Sequence, residues 1–332
     1  MRKLKTEPGQ VRVLDSLPVL FVCIGVVIAL YLVCLTGLAS KNAMRYMVQI
    51  FLYIIMGEMW NLLSGFAGMT SLGQQLYIGL AGYSVAVATS LFRMPLGFGI
   101  LLGVVVSILV ALVMSLLLFR MQGMYFSIAT WVVAEAFATF FLSWSFVGQG
   151  SGMTIHVNPY PQLFDICLLS LTICVAALIV VYGLLRTKVG LGLTAMRDDI
   201  TAAPSAGVDQ FRHKLLVYVI AAIFTAFAGG VFVVNKGIIY PENGFGISWT
   251  VSMIFIVVIG GSGTVGGPIV GAVIYVFLQE YLAHYPGWSN IILGVITILA
   301  ILFLPDGIMG WLQKKLRFEI FSAKRVSFLH ER

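Results

Sequence analysis

Several long runs of this chain contain no charged side chain, and this feature constrains the fold most. Residues 17–39, 94–119 and 215–235 are examples. Each reaches the roughly 20 apolar residues that a helix needs to cross about 30 Å of hydrocarbon. Only 10% of the residues are charged, whereas a soluble domain has about 25%. The sequence therefore predicts an integral membrane protein.

Two further uncharged runs, residues 59–92 and 243–279, are too long for one crossing, and glycines interrupt both near the middle. We interpret each as two segments joined by a tight, glycine-rich connection. The prediction is an all-α membrane protein with one transmembrane domain, residues 1–332, and ten spans. The predicted spans are residues 18–37, 44–64, 74–92, 95–119, 123–146, 164–185, 214–236, 246–260, 266–283 and 288–304.

Lysine and arginine concentrate in three regions: a tail at residues 1–17, a central loop at residues 186–214 and a tail at residues 311–332. Together these regions hold 15 of the 20 basic residues. Ten spans place all three on one side of the membrane, and cytoplasmic loops carry an excess of lysine and arginine. We therefore expect both termini and the loop in the cytoplasm. These cytoplasmic segments then explain the net charge of +7, and no nucleic-acid partner is required to account for it.

The first apolar run follows basic residues, as in a secretory signal, but it exceeds the roughly 7–15 residues of a signal core. We therefore expect an uncleaved first helix. The cysteines lie inside apolar spans without metal-ligand spacing, so we predict core residues and no metal site. They are Cys23, Cys34, Cys167 and Cys174.

Residues 61–75 place glycines, hydroxyls and amides within an apolar run. Irregular backbone at membrane depth is tolerated only where it is buried in protein or lines a water-filled cavity. A piece of a transport pathway and a structural re-entrant turn fit the pattern equally well. The pathway hypothesis assigns a lining role to Asn61, Gly65, Gly68, Ser71 and Gln74. By contrast, the G-x-G-x-x-G match within residues 260–267 lies between apolar spans, which favours a turn over a dinucleotide site.

Two acidic residues lie inside predicted spans, Glu58 in the second and Glu135 in the fifth. An ionised acid at the bilayer centre costs about 2.5–3.5 kcal/mol on insertion scales. Each acid must therefore face the interior, water or a partner, or be protonated. One interpretation is a site for a substrate ammonium or a proton, which would add Glu58 and Glu135 to the residues of the translocation pathway. An interior hydrogen bond is the other.

The central loop has helical periodicity from residue 193 to residue 203, with Leu193, Met196, Ile200 and Ala203 on one side. Pro204 disfavours the helical conformation at the preceding residue, and Gly207 suits a left-handed stop. The prediction is a short amphipathic helix. Docking into a groove of a soluble protein and lying on the membrane surface fit this pattern equally well.

Several segments, in order along the chain, resemble the permeases of branched-chain amino-acid ABC transporters. In the loop that family typically reads G-R-A-L-x-A-I-R-D/E, and this chain reads G-L-G-L-T-A-M-R-D. The resemblance covers about residues 44–307 and is greatest to the second, M-type member of the paired permeases. The segments are residues 61–73, 123–130, 190–207 followed by Lys214 and Leu215, 260–272 and 303–307.

The resemblance implies a subunit of a bacterial inner-membrane importer that translocates branched-chain or other hydrophobic amino acids. It implies a second permease in a heterodimer, two ATP-binding subunits and an extracytoplasmic solute-binding protein. This chain has no G-x-x-x-x-G-K-[ST] motif, so the partners would use ATP and Mg, and no cofactor or catalytic residue is expected here. The loop helix would be the coupling helix. Its implied ATPase interface comprises Gly192, Ala195, Arg197, Asp198, Asp199, Ala202, Ala203 and Gly207.

The chain departs from the family pattern at three positions. Leu191 stands where the family often has arginine, and Pro204 lies inside the family's usual helical run. At these two positions the contacts with the ATP-binding subunits are expected to differ from the family pattern. Gln74 replaces a frequent histidine, so either no titrating group is needed there or the substrate differs.

Three alternatives remain open. A permease of the same family for urea, short amides or another small solute is the nearest, because the binding protein largely sets specificity in systems that this chain resembles. A proton-coupled secondary transporter would use Glu58 or Glu135 without ATP. An intramembrane enzyme is least favoured, because the chain lacks an H-E-x-x-H motif and a paired nucleophile.

Overall fold

The computed structural model describes residues 12–13, 25, 29–32, 40–282, 289–303, 306–316 and 318–319. Most of the predicted first span and most of both basic tails lie outside the described residues. Cys23 and Cys34 lie outside them as well.

The described chain is a bundle of helices joined by short connections. The helices are α1 (Lys41–Asn61), continued by a π-helical turn (Leu62–Phe66), α2 (Gln75–Ser90), α3 (Leu96–Leu118), α4 (Met124–Ser143), α5 (Leu163–Arg186), α6 (Lys188–Asp198), α7 (Gln210–Lys236), α8 (Pro241–Phe245), α9 (Ser248–Gly260), α10 (Gly267–Leu282), α11 (Ser289–Phe303) and α12 (Gly307–Leu316). Three 3₁₀ turns are Ser145–Val147, Gln149–Ser151 and Ala203–Ala206. Strands β1 (Arg12–Val13) and β4 (Phe318–Glu319) pair in parallel, and β2 (Met153–Thr154) and β3 (Ile238–Ile239) pair antiparallel.

Helices in the described residues coincide with the second to tenth predicted spans, so an all-α membrane protein is confirmed. Six segments are long and apolar enough to cross a membrane, while α10 is apolar but shorter, and the total of ten crossings stays a prediction. The six segments are Lys41–Phe66, Leu96–Leu118, Met124–Ser143, Leu163–Arg186, Gln210–Lys236 and Pro241–Gly260.

The centre of the bundle is formed by α1 and α7, and its periphery by α3 and α4. The apolar window is 78% buried in the segment that contains α1 but only 28% buried in α4. Small residues let the central backbones approach closely. A Cβ built on Gly229 of α7 would lie 2.6 Å from the Cα of Ile78 in α2. Association by close backbone contact is typical of helices in lipid, where packing rather than water exclusion drives assembly.

Both predicted glycine-rich connections are present as breaks between helices. The first break, residues 62–74, contains the π-helical turn and then leaves helical geometry, with Gly68 at a φ of +69°. The second break, residues 261–266, has Gly261 and Gly263 at φ values of +123° and +73°. Side chains with a Cβ rarely adopt these conformations, so glycine is required there.

The predicted bounds of the loop helix are wrong. The helix α6 begins after Thr187, whose hydroxyl accepts from the N–H of Val189 at 3.2 Å, and ends at Asp198 rather than at residue 203. The Asp199 carboxylate accepts hydrogen bonds from the backbone of Thr201 and Ala202 at 2.8 and 3.1 Å. This side-chain turn competes with helix continuation. A 3₁₀ turn with Pro204 in its first turn follows instead, and the predicted left-handed stop at Gly207 is confirmed by its φ of +78°.

Candidate functional site

One end of the bundle brings together the central loop, both breaks and the turn between α3 and α4. A cleft of about 360 Å³ opens there. At the opposite end, β2 pairs with β3, and the Ser90 hydroxyl donates to the carbonyl of Thr154 at 2.6 Å. Both breaks therefore lie on the same side as the basic loop. The cleft is lined by Gly68, Met69, Thr70, Phe119, Met121, Gln122, Gly123, Met124, Phe126, Ser127, Ile200 and Lys214.

Arg197, in the last turn of α6, contacts the first break. Its Nη1 donates to the carbonyl of Gly65 at 3.2 Å, while Nε and Nη2 donate to Asp198 Oδ1 at 3.2 and 3.1 Å. Gly65 lies in the last turn of the segment that continues α1, where carbonyls lack intrahelical donors. A cation at such an end is favoured by roughly 0.3–1 kcal/mol. The guanidinium therefore caps a membrane helix although the side chain is 40% exposed.

Asn61, the buried last residue of α1, links the two breaks. Its Nδ2 donates to the carbonyl of Thr264 at 2.9 Å, and its Oδ1 accepts from the N–H of Gly263 at 2.8 Å. A Cβ on Gly65 would collide with Asn61 Oδ1 and lie 2.6 Å from the Gly263 nitrogen. The amide thus holds together backbone segments that are about 200 positions apart.

The rest of the first break is attached to α1 and α4. The indole of Trp60 donates to the carbonyl of Ser71 at 2.8 Å. The hydroxyl of Ser127 donates to the carbonyl of Thr70 at 2.6 Å, and the hydroxyl of Thr130 accepts from the N–H of Leu72 at 3.0 Å. Since buried backbone groups outside regular helices must find hydrogen-bond partners, the indole and the two hydroxyls supply them.

The residues of the pathway hypothesis are mostly interior in this conformation. Asn61 and Gln74 are fully buried and Ser71 is 1% exposed. Gly65 is also buried, whereas Gly68 is exposed at the cleft. The first break is therefore buried in protein over most of its length.

The two intramembrane acids have opposite environments. Glu58 on α1 is fully buried, and neither carboxylate oxygen has a hydrogen-bond partner among the described residues. A buried acid without a partner is costly in its charged form. Glu135 instead lies on the outer face of α4, in a shallow hollow of about 320 Å³ beside Trp131 and Thr139. Among the residues that the structure describes, none covers the Glu135 side chain.

The predicted ATPase interface divides into an exposed and a buried part. Asp198, Asp199, Ala202 and Gly207 are exposed, and so is Arg197, whose side chain is 40% exposed. The others position the loop, because Gly192 and Ala203 are buried and Ala195 is partly buried. Hydrogen bonds, first from the Thr201 hydroxyl and then from the Ala202 and Thr201 amides, hold the pKa of the Asp199 carboxyl below its ordinary value.

Sequence reasoning did not assign roles to Ser127, Thr130 and Lys214, which bind or line the first break and the cleft. The signal for the first two is a pair of hydroxyls three positions apart on one helix, within a segment that matches the family. For Lys214 the sequence shows only a motif match and a place among the basic residues of the loop. Among the described residues, no cluster of three His, Cys, Asp or Glu side chains could hold a metal ion.

A family model described as branched-chain amino acid transport system, permease component, matches residues 42–301. This chain belongs to that permease family. The resemblance inferred from the motifs is thereby confirmed.

Two relatives of this permease are the high-affinity branched-chain amino acid transport system permease proteins LivM of Salmonella typhimurium and Escherichia coli. The first is 24% identical over 317 residues, which cover 86% of this chain and 74% of the relative. The second is 25% identical over 334 residues, covering 89% and 78%. The galactose/methyl galactoside import permease protein MglC of Haemophilus influenzae is 30% identical over 147 residues, covering 42% and 43%. No solved structure matches the chain.

These relatives are named as permeases, and this chain, with six candidate membrane spans among its described residues, belongs to a membrane permease family. Their names include both amino-acid and sugar permeases. Family membership therefore fixes the class of protein and leaves the solute open.

Proposed function

We propose that this chain is a transmembrane subunit of an ATP-binding-cassette importer that translocates branched-chain or other hydrophobic amino acids across the inner membrane. Its proposed partners are a second permease, two ATP-binding subunits and a solute-binding protein. The observation that carries the proposal is the central loop. Its helix and turn present exposed polar groups at the end of the bundle where both breaks meet, in a chain that aligns with LivM permeases over more than four fifths of its length.

The proposed ATPase-docking surface is the exposed part of the loop, formed by Asp198, Asp199, Ala202 and Gly207. The helix α6 is anchored on its other side, because Gly192 packs so closely against His213 that a Cβ there would lie 2.5 Å from the imidazole Nε2. A short helix fixed to its neighbours moves with them as a unit. That property suits a lever that an ATPase displaces from outside the membrane.

The proposed translocation pathway follows the outer face of α4, between this chain and the second permease. This face is mostly apolar, with Glu135, Thr139 and Ser143 among its exposed polar residues, and the described residues cover it poorly. A carboxylate facing lipid would be costly, whereas at a subunit interface or in a wet cavity it can accept a hydrogen bond from the ammonium of an amino acid. Glu58 and the buried residues of the first break would then support the pathway rather than line it.

A second candidate is an importer of the same architecture for another small polar solute, including sugars, urea or short amides. The similarity to MglC favours it. That similarity covers less than half of this chain, whereas the LivM relatives cover 86% and 89% of it, so an amino acid is the better-supported solute.

The test is reconstitution of this chain with its partner permease, the ATP-binding subunits and the solute-binding protein in proteoliposomes. The expected result is uptake of radiolabelled leucine, isoleucine or valine that requires both ATP and the binding protein. A sugar or an amide should not compete. Uptake by the isolated chain that follows a pH gradient without ATP would instead support a secondary transporter.

A further inference from the structure

Three segments that are far apart in the sequence meet at one polar junction, formed by Asn61, Gly65, Arg197, Gly263 and Thr264. The junction lies where the loop helix α6 touches both breaks. Asn61 ties the first break to the second with hydrogen bonds of 2.9 and 2.8 Å. Arg197 ties α6 to the first break through the carbonyl of Gly65 at 3.2 Å.

The packing around these bonds leaves little room for relative sliding. A Cβ on Gly68 would lie 3.2 Å from the Cα of Arg197, so the backbones of the loop helix and the first break are in near contact. A Cβ on Gly263 would lie 3.4 Å from Arg197 Nη1 and 3.3 Å from the Gly65 carbonyl oxygen. The guanidinium therefore sits over the place where the two breaks touch each other.

Both of these side chains make hydrogen bonds within the junction. The donor and acceptor of the Asn61 amide both bind the second break. The Arg197 fork is divided between Gly65 and Asp198, an arrangement that needs the planar, multi-donor guanidinium and that a lysine cannot reproduce. A residue that served only to contact an ATPase would not need to reach inward to a membrane-helix carbonyl.

We infer that Arg197 and Asn61 are positioning residues that transmit motion of the loop helix directly to both glycine-rich breaks. This inference rests on the proposed function. It assigns Arg197 to transmission within this chain rather than to the docking surface, and Asn61 to the same path rather than to the wall of the translocation pathway. A displacement of α6 would then move the ends of α1 and α9 together, because the junction joins them.

The test uses the complete reconstituted transporter and compares five variants with the unaltered chain: three at Arg197 and Arg212, Asn61→Ala, and Asn61→Ala combined with Arg197→Ala. Arg197→Ala and Arg197→Lys change the junction. Arg212→Ala is the matched control, because Arg212 lies in the same loop, is 85% exposed and pairs only at the surface with Asp209 at 3.0 Å. The readouts are the ratio of co-purified ATP-binding subunits, the ATP hydrolysis rate and the amount of leucine taken up per ATP hydrolysed.

The expected result is a normal subunit ratio and continued ATP hydrolysis for Arg197→Ala, with uptake per ATP lowered about tenfold, within the usual range of coupling energies between sites. For Arg197→Lys, uptake per ATP should lie between the values for Arg197→Ala and the unaltered chain. Arg212→Ala should match the unaltered chain. Asn61→Ala should also lower uptake per ATP. The double variant Asn61→Ala with Arg197→Ala should lower uptake per ATP no further than the stronger single variant, because both substitutions break the same connection.

Two results would overturn the inference. Unchanged uptake per ATP in Arg197→Ala would show that the junction does not transmit motion. Loss of the ATP-binding subunits from Arg197→Ala, with Arg212→Ala retaining them, would make Arg197 a docking residue. The Arg197 variants decide the matter even if Asn61→Ala fails to assemble, since Arg197 lies at the surface. Failure of the unaltered assembly to couple ATP hydrolysis to uptake would instead refute the proposed function.

Discussion

Adding a single methyl group at Gly65 tests the junction in its simplest form. Gly65→Ala places a Cβ on top of Asn61 Oδ1, 2.6 Å from the Gly263 nitrogen and 3.1 Å from its Cα. The backbone of Gly65 lies in the π-helical turn, which alanine adopts readily, so the effect comes from crowding alone. Either Asn61 or the second break must shift.

The size of the effect follows from the contacts that are lost. The two Asn61 hydrogen bonds contribute roughly 0.5–1.5 kcal/mol each. Overpacking of a tight interior costs about 1–3 kcal/mol. The variant should therefore be destabilised by roughly 2–6 kcal/mol, which should lower the apparent melting temperature by roughly 3–9 °C in a chain of this length.

The assay is thermal unfolding of the purified chain in detergent, followed by intrinsic tryptophan fluorescence. Gly183→Ala is the matched control, because a Cβ at that position in α5 meets nothing within 4 Å. It should be neutral or slightly stabilising, since alanine is the better helix former by about 1 kcal/mol. Equal melting temperatures for Gly65→Ala and Gly183→Ala would refute the close packing of the junction.

Four further outcomes are expected. Glu135→Gln should lower transport while the subunits still co-purify, and full activity would remove Glu135 from the pathway. Ala202→Arg, on the exposed loop, should abolish co-purification of the ATP-binding subunits, whereas Gln149→Arg at the opposite end should not; equal recovery would place docking elsewhere. Because the pKa of Asp199 is lowered, its contribution to the loop is present above the ordinary carboxyl pKa and is lost only as pH falls through the lower folded value. The melting-temperature difference between the unaltered chain and Asp199→Ala should therefore be equal at pH 6 and pH 8, and a difference that disappears at pH 6 would contradict the turn. Gly68→Leu should block uptake, because its φ of +69° and its contact with the loop helix admit no branched side chain; normal uptake would show that the break tolerates it.

The helical architecture could be predicted from the sequence because uncharged runs must be helical in lipid, where backbone groups find no water. The positions of both breaks could be predicted for a related reason. Glycines that take positive φ values, such as Gly68 and Gly261, interrupt an otherwise uniform apolar pattern. Composition and local pattern suffice for features of this kind.

The sequence pattern predicts the wrong end for the loop helix, because a local side-chain interaction ends the helix earlier. Leu193, Met196 and Ala203 are all buried, as the periodicity indicated. Asp199 nevertheless binds the two amides that follow it and ends the helix before Ala203 is reached. Periodicity reports burial, and it cannot distinguish a continued helix from a turn that returns to the same surface.

The environments of the two acids could not be predicted from the sequence. A membrane helix is apolar on every side, so its pattern does not separate lipid-facing from interior positions. Glu58 and Glu135 occur in similar apolar surroundings in the sequence, yet one is buried and the other exposed. The contact of Asn61 with Gly263 is likewise invisible in the sequence, because it depends on how two distant helices pack.

The central claim is that the loop between α5 and α7 faces the cytoplasm and is held there by ATP-binding subunits. The most direct measurement places one cysteine at Ser205, an exposed loop position, in a variant without native cysteines, and labels it with a membrane-impermeant maleimide. We predict no labelling in spheroplasts, labelling in inside-out vesicles, and protection when the ATP-binding subunits are added. Labelling of Ser205→Cys in spheroplasts to the same extent as of a Ser151→Cys control at the opposite end would contradict the account.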